Sequence, residues 1–197
     1  MPGNQDIKQL LAAVSLNDDQ SAYRELFILL HKRLKQFSFS INRSVEEAEE
    51  IVSDLFIRIW QKRKQLSHIH SPLLYFYTAI KNQSLNQLDK NKRKHNLSAE
   101  AWLVQTDSFY FNPEQLLLTG EMMRQIKKAV NELPPRCRLV FKLVKEDGLT
   151  YNETASLLHL SIKTIEAQMA IALRRMARCM QVEIKKPASF SLATLKK

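Results

Sequence analysis

Apolar residues recur at helical spacing through Ala22, Leu26, Phe27, Leu30 and Leu34, and this rhythm predicts a long amphipathic helix after the capping run Asn17, Asp18 and Asp19. A second helix is expected from Ser44. Ser44 and Glu47 fit an S-x-x-E capping box, and Ala48, Ile51, Val52, Leu55, Phe56 and Ile59 line one stripe to about Lys64. The opposite face carries Glu46, Glu49, Glu50, Ser53, Asp54 and Arg58, so it is polar and begins acidic. Ser71 as cap and Pro72 at the first helical position, where a missing N–H removes no bond, predict a third helix running into Lys90, Lys92, Arg93 and Lys94. Residues 73, 77, 80, 85 and 88 lie close to one face of it, which assigns Tyr77 to the core.

The pattern then lapses. Residues 95–112 hold no Lys or Arg and no sustained period, and read as a flexible linker. Asn112 and Pro113 restart a helix whose apolar face is Leu116, Leu117, Met123, Ile126, Ala129, Val130 and Leu133. "LPPRC" at 133–137 breaks it and starts another, expected to stop at Gly148. Thr150 and Glu153 form a second capping box, and Ser161 caps a last helix with Ile165, Met169, Ala172, Leu173 and Met176 facing inward. No period survives beyond about Gln181. The expected fold is therefore all-α, with two small helical domains, 1–94 and 113–180, joined by the linker 95–112 and followed by a tail, 181–197.

Composition supports this class and narrows the function. Three glycines and six prolines in 197 residues leave little material for the tight turns of a sandwich or barrel. The net charge of +10 points to a polyanionic partner, because surface Lys and Arg attract phosphates and release their counterions. That charge is uneven: +5 over residues 1–95, −3 over 96–118, +5 over 119–180 and +3 over the tail. Two basic blocks thus flank an acidic one. Cys137 and Cys179 are too few and too far apart for a disulfide framework or a metal knuckle, and are expected to be reduced packing residues. His31, His68 and His70 with the glutamates at 46, 47, 49 and 50 offer no E-x-x-H or H-E-x-x-H spacing, so no metal site, cofactor or catalytic residue is expected. No stretch approaches the ~20 apolar residues of a membrane span, and the N-terminus lacks a basic leader, so a cytoplasmic location is expected.

A short helix, a break at "HLS" and a longer capped helix give a helix-turn-helix layout over 150–178, with the second helix presenting its N-terminal turns to the major groove. Its outward residues are Ser161, Lys163, Thr164, Glu166, Ala167, Gln168, Ile171, Arg174, Arg175 and Arg178. Gln168 can pair with adenine, Lys163 with guanine or phosphate, Thr164 and Ala167 with a thymine methyl, and the arginines with phosphates. Two packed helices with a solvated basic face would give the same pattern, so the rest of the chain must discriminate.

"ELPPRCRLVFKLVKEDGLTYNETASLLHLSIKTIEAQMAIALRRMAR", 132–178, resembles the promoter-reading C-terminal domain of bacterial sigma factors of the extracytoplasmic-function group. "VEEAEEIVSDLFIRIWQKR", 45–63, resembles their second conserved region, and "SPLLYFYTAIKNQSLNQLDKNKRK", 71–94, the part that melts and reads the minus-ten element. The resemblance implies a subunit that binds core RNA polymerase and directs promoter-specific initiation, with promoter DNA and an anti-sigma factor as further partners. It implies that Glu49, Ser53, Asp54, Phe56, Ile57 and Trp60 bind core polymerase. It also implies that Tyr75, Lys81, Asn82, Asn86, Lys90, Lys92, Arg93 and Lys94 serve the minus-ten strand, where planar groups replace lost stacking and cations follow the backbone. Here His159, Thr154 and Gln168 stand where the family usually has glycine, isoleucine and often histidine. The alternative is a stand-alone helix-turn-helix regulator with an N-terminal dimerisation or sensing half, which would have no need of the "NKRK" run.

Overall fold

The structure is a computed structural model and describes residues 4–92 and 120–179. All regular structure among these residues is helical. The first group of helices is α1 (Asn4–Asn17), α2 (Gln20–Asn42), α3 (Val45–Gln61), a 3₁₀ turn (Arg63–Gln65) and α4 (Pro72–Lys92). The second is α5 (Gly120–Asn131), α6 (Pro135–Phe141), a π-helical segment (Lys142–Glu146), α7 (Tyr151–Leu158) and α8 (Ile162–Cys179).

Local chemistry sets the boundaries. The Asp19 carboxylate accepts from the amides of Ser21 (2.8 Å) and Ala22 (3.1 Å), which starts α2. Arg43 ends it in the left-handed region (φ 63°), and Ser44 caps α3 by accepting from the Glu47 amide at 3.1 Å. The α-helix stops at Gln61 rather than near Lys64, because the chain tightens into the 3₁₀ turn. Helix α2 lies centrally against α1, α3 and α4. Leu26, Leu30, Leu34 and Phe37 meet Val52, Leu55, Phe56 and Ile59 and then Phe76, Tyr77 and Ile80 in one buried core. Helix α1 has no counterpart among the expected elements; it buries Ile7, Leu11 and Val14.

In the second group α8 packs on α5, α6 and α7. The proline break between α5 and α6 is held by buried Arg138, whose Nη2 donates to the carbonyls of Asn131 (2.6 Å) and Leu133 (3.0 Å). A guanidinium here satisfies carbonyls that the broken helix leaves without partners. The π segment ends when the Asp147 amide bonds back to Lys142 O at 2.9 Å, and Gly148 turns at φ +84°. The expected capping box at Thr150 forms in both directions, Glu153 N to Thr150 Oγ1 at 3.2 Å and Thr150 N to Glu153 Oε2 at 2.9 Å. His159 then takes φ 54° and ψ 42°, a left-handed conformation that histidine enters more readily than most residues. Ile165, Met169, Ala172 and Met176 are buried as expected. Leu173 is not; it is 39% exposed. It lies about 80° around the helix from Ile165, at the edge of the stripe. The expected restart at Asn112 and Pro113, the linker 95–112 and the tail 181–197 lie outside the described residues.

Candidate nucleic-acid interface

Helix α8 presents its N-terminal turns freely. Ser161, Lys163, Glu166 and Ala167 are exposed, and the Ser161 hydroxyl caps the helix by accepting from Thr164 N at 3.1 Å while lying 2.8 Å from Thr164 Oγ1. Gln168 is half-buried, and its Oε1 accepts from the thiol of buried Cys137 at 2.7 Å. That contact orients the amide: the oxygen is held inward, so the Nε2 donor is the group left for a ligand. Ile171 is half-buried beside it, packed against the core. Arg174 and Arg175 are exposed but anchored, Arg174 Nε to Ala170 O (3.3 Å) and Arg175 Nη1 to Glu132 O (3.1 Å). Arg136 lines the same shallow cleft as Thr164 and Gln168. Sequence reasoning passed over Arg136 because it precedes the recognition helix by many residues, and only the packing of α6 on α8 brings it there.

Helix α4 carries a second polar strip. Tyr75, Asn82, Asn86 and Lys90 are exposed at spacings of seven, four and four residues, which aligns them on one face. Tyr77 is fully buried, stacked in a tilted pair with Phe37 at 5.0 Å, as the core assignment required. Lys81 departs from the strip. It is 4% exposed, and its Nζ donates to Leu157 O at 2.8 Å. The side chain of Lys92 and all of Arg93 and Lys94 lie outside the described residues.

On α3, Asp54 and Ile57 are exposed and Ser53 and Trp60 half-buried, so they form an open surface beside the acidic N-terminal turn. Trp60 is braced by the Arg63 guanidinium, 4.4 Å from its ring centre, and by the Tyr23 ring at 5.0 Å. Phe56 turns inward instead, packed against Phe27 at 4.8 Å, and supports the helix from behind. The Glu49 carboxylate is bridged to Lys35 and to His31 Nε2 at 2.8 Å. The Lys35 hydrogen bond, with a smaller share from His31 and against a modest burial penalty, holds its pKa below the ordinary carboxylate value.

The sequence matches the Sigma-70 region 2 family over residues 26–94 and the Sigma-70, region 4 family over residues 123–176. It is 21% identical over 178 residues to the ECF RNA polymerase sigma factor SigK of Mycobacterium tuberculosis (strain ATCC 25618 / H37Rv), covering 90% of this chain and 95% of that one. The chain belongs to the extracytoplasmic-function sigma factors. This sigma factor is also similar to SigW of Bacillus subtilis (strain 168), 22% identical over 158 residues, covering 77% of this chain and 84% of that one. RpoE of Cereibacter sphaeroides is 25% identical over 176 residues, covering 87% and 93%. Among solved structures, the sigma factor RpoE of Bartonella quintana, in complex with the anti-sigma factor NepR, shares its fold with a TM-score of 0.52 at 21% identity, covering 84% of this chain and all of that one.

The sigma factor therefore directs promoter-specific transcription initiation with core RNA polymerase and promoter DNA as partners. Region 2 falls on α2, α3 and α4, and region 4 on the helices from α5 to α8. A stand-alone regulator is not favoured, since region 2 occupies the half where a dimerisation or sensing domain would lie. Sigma factors work by binding rather than by making or breaking bonds. Among the described residues no helix is long and apolar enough to cross a membrane.

Proposed function

We propose that each of the three exposed surfaces meets a different partner. The surface of α3, with Glu49, Ser53, Asp54, Ile57 and Trp60, docks on core polymerase, with Phe56 setting its rigidity from within. The strip Tyr75, Asn82, Asn86 and Lys90, continued by Lys92, Arg93 and Lys94, follows the non-template strand at the minus-ten element. The N-terminal turns of α8 read the minus-thirty-five element, Lys163, Thr164, Ala167 and Gln168 at base edges and Ser161, Glu166, Ile171, Arg174 and Arg175 around them.

The observation that carries this reading is the alignment of Tyr75, Asn82, Asn86 and Lys90, with Asp89 beside them, on one open face of a helix whose other faces are buried or half-buried. A stacking ring, amides and a cation in line are what an unpaired strand requires. The domains are proposed as 1–94 and 113–180, with 95–112 linking them. The protein works in the cytoplasm, where its polymerase is. An anti-sigma factor holds it in reserve, as NepR is seen bound to the Bartonella relative.

Competition binding tests the assignment. The full chain is mixed with core polymerase and an oligonucleotide carrying the melted minus-ten strand. Replacing Asn82 and Asn86 with alanine is expected to weaken strand capture at least tenfold while leaving polymerase affinity unchanged, and Ile57→Glu is expected to do the reverse. Equal loss of both activities in either variant contradicts the division of surfaces.

A further inference from the structure

Three elements converge around Trp60. Helix α3 ends at Gln61, and the 3₁₀ turn Arg63–Gln65 that follows packs against α1. Arg63 uses its guanidinium three times there. Its Nη1 donates to Trp60 O at 2.8 Å, among the carbonyls at the end of α3 where the helix's own donors run out. Its Cζ lies 4.4 Å from the centre of the Trp60 ring, and its Nε pairs with Asp18 Oδ1. The Tyr23 ring lies 5.0 Å from the indole, and the Tyr23 hydroxyl donates to Phe56 O at 2.8 Å, which ties it to the preceding turn of α3. Asp18 reaches Arg63 from the two-residue link between α1 and α2 at φ 54°, a left-handed conformation that glycine enters without strain. Its neighbour Asp19 caps α2, so the two carboxylates of the link have separate tasks.

Stability alone explains little of this. The side chains of Asp18 and Arg63 are 45% and 24% exposed, and an ion pair so open to solvent contributes little to folding. What the arrangement restricts is one ring. A tryptophan at the rim of a helix exchanges rotamers, and a side chain that must be ordered on association weakens it. The cation over the Trp60 ring and the tyrosine beside it order the indole beforehand, yet Trp60 stays half-exposed, next to exposed Ile57. The left-handed backbone at Asp18 fits the same purpose. Glycine would make that turn with less strain, but it would bring no carboxylate to Arg63.

We propose that Asp18 and Arg63 are positioning residues for polymerase docking: Asp18 anchors the guanidinium, and the guanidinium clamps the Trp60 indole in the rotamer that core polymerase receives. The clamp rests on the reading of Trp60 as a docking residue. Asp18 and Arg63 act through the ring alone.

Two measurements on the full chain test the clamp. In a Trp102→Phe background Trp60 is the one remaining tryptophan, and its time-resolved fluorescence anisotropy reports ring motion without polymerase. Arg63→Gln keeps part of the aliphatic stem, and Asp18→Asn keeps the shape of a residue that tolerates the left-handed conformation. Both are expected to increase the fast motion of the ring, Arg63→Gln the more, with helicity by circular dichroism unchanged. Titration with core polymerase then forms a double-mutant cycle. Arg63→Gln is expected to weaken binding about three- to tenfold, through the lost cation–π contact and the ordering it supplied, and Asp18→Asn by less. Trp60→Ala is expected to weaken binding further, and Arg63→Gln added to Trp60→Ala to change nothing more. Unchanged ring motion in Arg63→Gln overturns the clamp, whatever polymerase binds. An equal loss from Arg63→Gln in the Trp60→Ala background also overturns it, because Arg63 then meets polymerase itself. Trp60→Ala that binds like wild type, with the ring still ordered by Arg63, is instead the failure of the docking reading, and it overturns the positioning role with it.

Discussion

Under the proposed reading of α8, promoter preference is expected to turn on Gln168. Its oxygen is held by Cys137, which leaves its nitrogen as the donor for a ligand, so it is expected to donate to a base acceptor such as a purine N7. Gln168→Ala should relax preference at one minus-thirty-five position, by about 1–3 kcal/mol, with other positions unaffected. Affinities measured across single-base variants of the element check this, and a uniform loss across all of them would make Gln168 a positioning residue. Cys137→Ala should broaden the same position without removing it, since it frees the amide to turn. Glu49 makes a different prediction. Its folded-state pKa is lowered, so the stabilisation it gives is present above the ordinary carboxylate pKa and is lost as pH falls through the lowered value. Glu49→Gln should lower the melting temperature slightly at pH 7, and progressively less as pH falls through the lowered value. Because the carboxylate is 43% exposed, solvent screening keeps the effect to a few tenths of a kcal/mol, and raised salt should shrink it.

At the level of elements, the caps and the aromatic core are the quantities to perturb. Thr150→Ala breaks a capping box closed in both directions and should cost about 1 kcal/mol, read as a fall in the denaturant midpoint. Phe56→Ala should cost about 3–5 kcal/mol, because a fully packed ring leaves a cavity that α3 cannot fill. Much of this was legible in the sequence. Ser44, Thr150 and Ser161 announced their helices through fixed side-chain chemistry, and His159 announced a left-handed turn. Helix α1 was not, since Ile7, Leu11 and Val14 give too short a stripe to stand out beside the strong pattern of α2. Leu173 was misplaced because apolar identity does not fix an angle at the margin of a face. The burial of Lys81 was out of reach altogether. It depends on a contact seventy-six residues away in the chain, and no local pattern encodes that pairing.

For the whole molecule, charge and spacing converge on one function. A net charge of +10, with +5 on each of the two helical blocks, suits a protein that holds DNA at two places. Lys90, Lys92, Arg93 and Lys94 are proposed to meet the minus-ten strand, so replacing all four with alanine should weaken open-complex formation and reduce its salt slope by about two to three. Filter-binding assays over a salt series measure that slope directly. The central claim, that this chain directs initiation through polymerase, is tested most directly by run-off transcription with core enzyme and fragments of genomic promoters. The account predicts initiation at a discrete set of promoters that depends on both the α4 strip and the α8 N-terminus. No initiation from any fragment, together with tight binding of duplex DNA in the absence of polymerase, would contradict it.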